Sequence, residues 1–568
     1  MIKAFKRFFI KIRESRGDLL WLLQEGKGTL RYMAGFLLIS LIGMGFSLIS
    51  PYISKLVVDA VSGANPHFSM KLVALMLGSS LLSILFSSGA GIFSSYVNEK
   101  FAFSIRAKMF DRTQRGRWLN ISKFHSGDMM SRLNADVDTI ARNIITLLPD
   151  LIVSILKLVI ILVIVLSVDP VLAMIGLIAG PAGLVITVLF REPMVRYQKE
   201  LRESHSEYFT FFQENLSNIG VIKTFQMEDR NNTFFTEFRN RRMKTVMRQT
   251  YVSTLSGICS SLVYTAAYVL AFGWCARQLE QGAYSYGTMT MFLTQMSQIQ
   301  GAVRGVGHIL PTLFTTVVST RRVREITELG DEDLSGSSAP YTEPIGLRVD
   351  HVSFTYDNET ILKDISFDIP PKAHVGIIGP SGVGKTTLIR LMLALTEPDS
   401  GSMEYVYADG TGEQVSPATR RLLAYVPQGN TLMTGTLRKN MLTGKPDATD
   451  EEMWDALERA GAAEFVRKDP AGLELNVTER SGGISAGQAQ RLCIARALLR
   501  DRPVLIFDEA TSALDEGTER RIFENLVATI DKTCFIITHR SSMLRYCDTV
   551  MEVHEDGSIS VWKQAKEV

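Results

Sequence analysis

The chain has 568 residues, too many for a single hydrophobic core. Its 61 Lys and Arg nearly balance 59 Asp and Glu, so net charge gives no ground for a nucleic-acid partner. The five cysteines (Cys259, Cys275, Cys493, Cys534 and Cys547) are scattered with no C-x-x-C pair, which excludes a disulfide framework or cysteine metal site as the organising feature; a reducing cytosol suits the last three.

Long apolar runs fill the first ~320 residues, and ordinary soluble composition follows. The chain therefore divides into an N-terminal cytoplasmic amphipathic segment (1–32), a membrane domain (33–320), a linker (321–344) and a second domain (345–568). In the first segment Lys3, Lys6, Arg7, Lys11 and Arg13 interleave with Phe5, Phe8, Phe9 and Ile10. It lacks the longer apolar core and small-residue cleavage site of a signal peptide, and it predicts an interfacial helix on the cytoplasmic face.

Six apolar stretches come next: Met33–Ile53, Leu72–Tyr96, Ile145–Val168, Leu172–Arg191, Thr254–Arg277 and Tyr286–Leu313. Each is near the ~20 residues that a membrane-spanning helix needs. The links after spans one, three and five are short. Those after spans two and four are long, charged and largely free of Pro and Gly, as in Asn98–Arg112 and Tyr197–His205. They predict helices continuing well beyond the bilayer. Lys and Arg crowd the N-terminus and the long links, which the positive-inside rule places in the cytoplasm. Six crossings then return the chain to the cytoplasm before the second domain.

A charge at mid-bilayer costs about 3 kcal/mol on insertion scales, so polar residues within spans are functional candidates. Span three holds Asp150 and Lys157. Span six carries Gln300, Arg304 and His308 on one helical face, with Gly301 and Gly305 beside them for close helix approach. The stripe reads as the lining of a water-filled pathway for polar or anionic cargo, as internal pairing such as Asp150 with Arg304, or as residues low enough to sit in cytoplasmic water. Gly180-Pro-Ala-Gly183 is expected to break span four, as a kink or a hinge. Tyr264 and Tyr268 share a face of span five and read as packing residues.

Span six runs into Thr320–Ile326 and then into Asp331–Pro340, an acidic Ser/Gly-rich linker. Beyond Ile345, strand-like runs (Leu347–Phe354, Val375–Ile378, Leu423–Val426, Val504–Phe507, Cys534–Ile537) alternate with helical ones and predict a parallel α/β core. Gly379–Thr386 fits G-x-x-x-x-G-K-[ST], a phosphate-binding loop between a buried strand and an apolar-faced helix. Gly379, Gly382 and Gly384, with Pro380, Ser381 and Val383 between them, let the backbone turn its N–H groups inward. Lys385 reaches the β- and γ-phosphates, the Thr386 hydroxyl ligates Mg²⁺, and Thr387 continues a helix whose dipole favours anions. ATP and Mg²⁺ are the expected ligands. Val504–Glu509 is an apolar strand ending in two carboxylates. Asp508 is aimed at the Mg²⁺ shell, and Glu509 is placed to orient or deprotonate attacking water. His539 follows the next strand and reaches the same sheet edge, near the γ-phosphate.

Ile484-Ser-Ala-Gly-Gln488 and the following Gln490–Ala497 resemble the signature motif and helix of ABC transporter ATPases. The order is also theirs: phosphate loop, Gln428 after Tyr425-Val-Pro, signature, Val504–Glu509, Ser512-Ala-Leu-Asp515, His539. The membrane half is similar to the six-helix exporter type, with Gly127–Asp136 and Glu214–Phe225 matching its two cytoplasmic loops. The implied fold is a membrane all-α six-helix transmembrane domain followed by an α/β P-loop NTPase (ABC ATPase) domain. The resemblance implies that Tyr356 stacks on adenine. It implies that Gln428 senses Mg²⁺ and the lytic water. Ser485, Gly487 and Gln488 would engage ATP held by a second ATPase domain, and Asp515 would lie at that interface. Glu479-Arg480 would contact the membrane domain, and short helices near Ile121–His125 and Asn218–Phe225 would couple the halves. Ala486 stands where the family usually has Gly, as does Ser481.

The resemblance further implies a half-transporter, multi-pass in the cytoplasmic membrane, pairing with an identical or different half. Its expected activity is ATP-driven export of a small amphipathic molecule, lipid or peptide by alternating access. The alternatives are an exporter-shaped importer, as for siderophores, and an ATP-gated switch without vectorial transport. Intact Lys385, Asp508, Glu509 and His539 weigh against the switch.

Overall fold

The computed structural model describes residues 16–63, 70–335, 343–356, 359–429, 431–477, 484–529 and 531–563. The basic N-terminal stretch and Glu479, Arg480 and Ser481 lie outside the described residues. The chain separates into two compact units. One comprises the chain up to Asp111 together with His125–Glu328, and the other Arg112–Phe124 together with Leu329 onward.

The first unit is helical, because in a bilayer every backbone N–H and C=O needs a partner within its own segment. Its helices are α1 (Arg16–Glu25), α2 (Leu30–Val61), α3 (Met70–Arg115), α5 (Ser126–Ser131), α6 (Val137–Val168), α7 (Pro170–Leu189), α8 (Arg191–Ser217), α9 (Ile219–Thr224), α10 (Glu228–Glu280) and α11 (Tyr286–Thr327). The short α4 (Trp118–Ile121) belongs to the other unit. The expected spans fall in order within α2, α3, α6, α7, α10 and α11, the fourth ending at the α7–α8 junction. Among the described residues, Gly26–Val61, Met70–Arg115, Ser126–Val168 and Glu228–Glu280 are long and apolar enough to cross a membrane, and Pro170–Gly183 is a shorter apolar helix. The 46-residue α3 and 53-residue α10 would measure about 70 and 80 Å at a rise of about 1.5 Å per residue, more than twice a ~30 Å hydrocarbon core.

Two expectations change at glycines: span four has no break in its helix, and close approach is absent at Gly301. Helix α7 runs unbroken through Gly180-Pro-Ala-Gly183, with Pro181 inside it. The two glycines serve packing instead. A Cβ on Gly180 would lie 3.1 Å from Val303 Cγ2, and one on Gly183 only 2.4 Å from the Tyr264 hydroxyl. Close helix approach holds at Gly305, where a Cβ would meet Ser154 Oγ at 3.0 Å, but nothing lies within 4 Å of Gly301.

The ends of the spans away from the long links are joined by two carboxylates. Asp169 caps α7, accepting from Val171 N at 2.7 Å, and also takes hydrogen bonds from Trp274 Nε1 (2.8 Å) and the Tyr284 hydroxyl. Asp59 of α2 accepts from Gly287 N of α11 at 2.8 Å, where a Cβ would stand 2.2 Å from the Lys55 carbonyl.

The second unit is an α/β body of two main sheets and a short antiparallel pair, β7 (Gly435–Thr436) with β8 (Asn476–Val477). A six-stranded sheet has the order β12-β11-β3-β10-β9-β6, with β3 (His374–Ile378), β6 (Leu423–Val426), β9 (Val504–Asp508), β10 (Thr533–Ile537), β11 (Thr549–Val553) and β12 (Ile559–Lys563). All pairs are parallel except β11–β12. The apolar strands β3, β9 and β10 are buried almost throughout, as strands covered on both faces are. A separate antiparallel sheet, β2-β1-β4-β5, contains β1 (Gly346–Tyr356), β2 (Glu359–Ile369), β4 (Ser400–Val406) and β5 (Gly412–Gln414). The run Leu347–Phe354 thus belongs to this second sheet and not to the parallel core. Strand formation is local, whereas β1 selects its partners through register with β2 and β4.

Candidate nucleotide site and membrane cavity

Parallel pairing delivers the candidate residues to one edge. Ile377 of β3 pairs with Ile537 of β10, and Ile537 pairs with Asp508 of β9. Val426 of β6 pairs with Phe507. Gly379, His539, Glu509 and Gln428 therefore emerge side by side from the C-terminal ends of neighbouring strands, where ligands of open α/β sheets bind.

Glu509 sits at φ +49, a left-handed conformation uncommon for a residue with a Cβ. Three contacts hold it there. Its N–H donates to Ile537 O at 3.3 Å. Its Oε2 accepts from Gln428 Nε2 at 2.7 Å, and its Oε1 shares a hydrogen bond with His539 Nε2 at 2.7 Å. The carboxylate is thus gripped on both oxygens while part of it stays accessible.

Gly379, Gly382 and Gly384 take φ of +141, +87 and +109. A Cβ on Gly379 would lie 2.4 Å from Val553 O, and one on Gly384 would lie 2.7 Å from Ile361 Cγ2. Nothing lies within 4 Å of Gly382, at the open tip of the loop. Lys385 begins α12 (Lys385–Met392). It is buried, and its Nζ donates to Gly379 O (2.8 Å) and Pro380 O (2.5 Å). Burial pulls its pKa below the ordinary lysine value, against the raising influence of Glu509 and Asp508. Asp508, 2 % exposed, has its pKa raised chiefly by burial. Its Oδ2 accepts from the Tyr425 hydroxyl at 3.2 Å. Thr386 and Thr387 follow in the first turn of α12, and Ser381 is exposed on the loop. A buried lysine and a buried carboxylate, neither in a direct ion pair among the described residues, fit a bound phosphate chain and a hard divalent cation. Tyr356 ends β1, 38 % exposed, paired with Glu359 of the strand whose Ile361 packs at Gly384.

The signature segment opens α16 (Ala486–Leu499), numbered after α13 (Leu437–Leu442), α14 (Asp450–Arg459) and α15 (Ala463–Lys468). Ser485 caps it reciprocally with Gln488: Ser485 N donates to Gln488 Oε1 (2.8 Å), and Gln488 N donates to Ser485 Oγ (3.2 Å). Ser485 and Ala486 are exposed, so the Ala486 methyl is accommodated within the chain. Gly487 is different, because a Cβ there would meet Ala513 O at 2.9 Å. Asp515 is exposed and accepts from Thr518 N at 2.9 Å, at the start of α17 (Glu516–Thr529).

Sequence reasoning missed Tyr425 as the partner of Asp508. It also missed Gln490, whose side chain donates to Ser512 Oγ (3.1 Å) and accepts from Ala513 N (2.9 Å). Both depend on packing across the domain. The Tyr425-Val-Pro context marked the strand end but not what the hydroxyl meets.

Of the first loop, Arg112–Phe124 forms part of the ATPase-side unit. There Gly116 bridges to Asp331, Glu332 N donates to Arg115 O at 2.8 Å, and the Arg390 guanidinium lies 5.0 Å from the Trp118 ring centre. The second expected coupling helix is α9, with exposed Ile219 and Val221.

In the helical unit, Gln300 lines a cavity of about 260 Å³ with Ser261, Tyr264, Thr265, Tyr268 and Ser297. Its Nε2 donates to Tyr264 O at 3.5 Å. Tyr264 is buried against Gly183, as packing predicts, yet also faces this cavity. The side chains of Arg304 and His308 lie outside the described residues.

A helical transmembrane domain fused to a P-loop α/β ATPase defines the class: an ATP-driven membrane transporter. Two family models match, the ABC transporter transmembrane region over residues 33–303 and ABC transporter over residues 362–512. The chain belongs to the ABC transporters, as a half-transporter of the exporter type. It is 28% identical over 536 residues, 92% of each chain, to a Bacillus subtilis protein named as a multidrug export ATP-binding/permease protein. Similarly named Staphylococcus aureus proteins are 29% identical over 476 residues, 82% of this chain and 81% of theirs. Its fold matches a bacterial Atm1-family ABC exporter solved with ATP bound, with TM-score 0.77, 23% identity and 94% coverage of both chains. The chain is an ATPase whose hydrolysis is coupled to transport.

Proposed function

We propose that two copies of this chain, or this chain and a related half, export a small amphipathic molecule, lipid or peptide across the cytoplasmic membrane. The N-terminus and ATPase unit face the cytoplasm in this reading, consistent with the basic long links. The observation that carries it is the gripped Glu509 beside Gln428, His539 and Lys385, an arrangement suited to hydrolysis and not to ATP binding alone. Lys385 and the loop amides bind the phosphates, Tyr356 stacks on the base, and Asp508, Thr386 and Gln428 hold Mg²⁺. When bound, that ion neutralises charge between the β- and γ-phosphates. Glu509 orients the water, and His539 fixes Glu509 and faces the γ-phosphate. Ser485, Gly487 and Gln488 close the site of the other subunit, through a helix N-terminus that favours anions.

The cavity around Gln300 supports the transport side. Hydroxyls and an amide exposed within apolar helices need water, protein or cargo as partners. Its described lining supplies hydroxyls and an amide, which suit a hydrogen-bonding group on the cargo.

Glu509→Gln is the test. It should bind ATP with near-parental affinity yet lose at least about 99% of turnover, the cost of removing a general base at the lower end of its usual range. Near-parental turnover would overturn the assignment. Transport of Hoechst 33342 into or out of sealed proteoliposomes, with ATP on one side only, decides direction.

A further inference from the structure

Between α5 and α6 the chain makes a π-helical turn, Arg132–Asp136. Such turns are rare and are often found at functional sites. This one carries two buried charges, Arg132 (9 % exposed) and Asp136 (8 %). Arg132 donates to Asp128 Oδ2 (2.7 Å), to Arg322 O (2.7 Å) and to Glu325 Oε2 (2.5 Å). Arg322 donates to Asp128 Oδ1 (2.5 Å) and lies 2.8 Å from Asp136 Oδ2. Ser319 Oγ donates to Asp136 Oδ1 at 2.8 Å. From α3, Arg106 Nε reaches the turn's own Leu133 carbonyl at 3.2 Å and its guanidinium pairs with Asp138. From α1, Asp18 takes Arg321 (3.2 Å) and Arg324 (3.4 Å). The cluster thus joins α5, the π-turn and α11, and the pairs from α3 and α1 fall on the same segments.

Stability alone is a weak account of it. Buried ion networks are often matched or exceeded by well-packed apolar residues, so they are weak evidence for a stabilising role. Place in the chain offers a better account. The chain passes between its two units after Asp111, Phe124 and Glu328. Asp128–Asp136 follows directly on the second passage, and Arg322–Glu325 directly precedes the third. A displacement entering the helical unit along either strand of chain meets this cluster first. Arg132 and Arg322 each hold two carboxylates, so their pairs can exchange without leaving a charge bare.

We propose that the π-turn and its cluster are a coupling joint. Arg132 and Arg322, with Asp128, Asp136 and Glu325, are positioning residues that tie α6 to the exit end of α11 and carry ATP-driven movement into the spans. The proposal rests on the ATP-driven reading above.

The test uses the full chain in lipid nanodiscs, with Cys259→Ser and a bimane-labelled Val61→Cys at the exposed end of α2. Emission is read with and without Mg-ATP in a Glu509→Gln background. In the active background, kcat, KM for ATP and thermal midpoint are measured. The triple variant Asp128→Leu/Arg132→Met/Glu325→Met should keep the parental midpoint and a KM within about twofold, while the ATP-induced bimane shift falls at least about tenfold. A shift of parental size in the triple variant overturns the joint alone. So does a shift lost only in step with midpoint and ATP binding. If the triple variant does not fold, Arg132→Lys decides, since an ammonium cannot span all three acceptors: a reduced shift at parental midpoint supports the joint, and a parental shift overturns it. A parent chain with no ATP-induced shift overturns both this proposal and the reading beneath it.

Discussion

Lys385 and Asp508 are held at a cost that ATP would relieve. The pKa of Asp508 is raised, so its favourable contribution to folding is present below the ordinary carboxylate value and is lost as pH rises through the folded value. At neutral pH its buried charge works against the ligand-free fold. The pKa of Lys385 is lowered, so its contribution is present above the ordinary lysine value and is lost as pH falls through the folded one. Asp508→Asn and Lys385→Met should therefore leave the nucleotide-free thermal midpoint at or above the parent's at pH 7.5. For Asp508→Asn the gap should close as pH falls towards 4. Both should lose the stabilisation by Mg-ATP, about 2.7 kcal/mol for the parent at a hundredfold excess over Kd. A ligand-free midpoint well below the parent's would contradict the argument. These two residues were legible in the sequence because their motifs are local. Their environment was not, since the Tyr425 hydroxyl comes from 83 positions away and the Gln428 amide that grips Glu509 from 81.

The same division holds among the elements. Spans and parallel strands were readable because apolar runs of set length dictate them. The antiparallel sheet escaped notice, because β1 looks like any other strand until its register with β2 and β4 is known. The π-turn escaped too, since its ion pairs join residues as far apart as Arg132 and Glu325, separated by 193 positions. Glycines show what spacing alone misses. Gly301 and Gly287 both lie in α11, and only Gly301 stood beside the polar stripe. Yet a Cβ at Gly287 would press on the Lys55 carbonyl at 2.2 Å, while Gly301 has nothing within 4 Å. Backbone cannot yield as a side chain can. Gly287→Ala should thus destabilise the helical unit by about 1–3 kcal/mol, and Gly301→Ala should be neutral within about 0.5 kcal/mol. Thermal unfolding of the two variants in one detergent compares them directly, and equal midpoints would refute the packing account.

For the whole molecule, the question is whether one chain completes an ATP site. The phosphate loop, Glu509 and His539 share one sheet edge. Ser485 instead opens an exposed helix end, capped among the described residues by its own Gln488. If that end closes a partner's site, two different defects should complement. A Lys385→Met chain keeps a sound signature, and a Gly487→Asp chain keeps a sound phosphate loop. Either alone pairs every site with a defect. Mixed dimers combine both defects in one site and leave the other whole. Occlusion of radiolabelled ATP, measured in a Glu509→Gln background so that turnover does not matter, should be near zero for each variant alone. Co-expression should restore roughly a quarter of the parental level, one sound site in half of randomly assorted pairs. A site completed within a single chain predicts no recovery, because each chain would carry its own defect into every pairing. Steric damage by Gly487→Asp is controlled by the same mixture, since the loop at Ala513 that it presses on belongs to the chain whose phosphate loop must still bind. Recovery therefore requires that this chain remain folded and that its nucleotide be closed by its neighbour's Ser485.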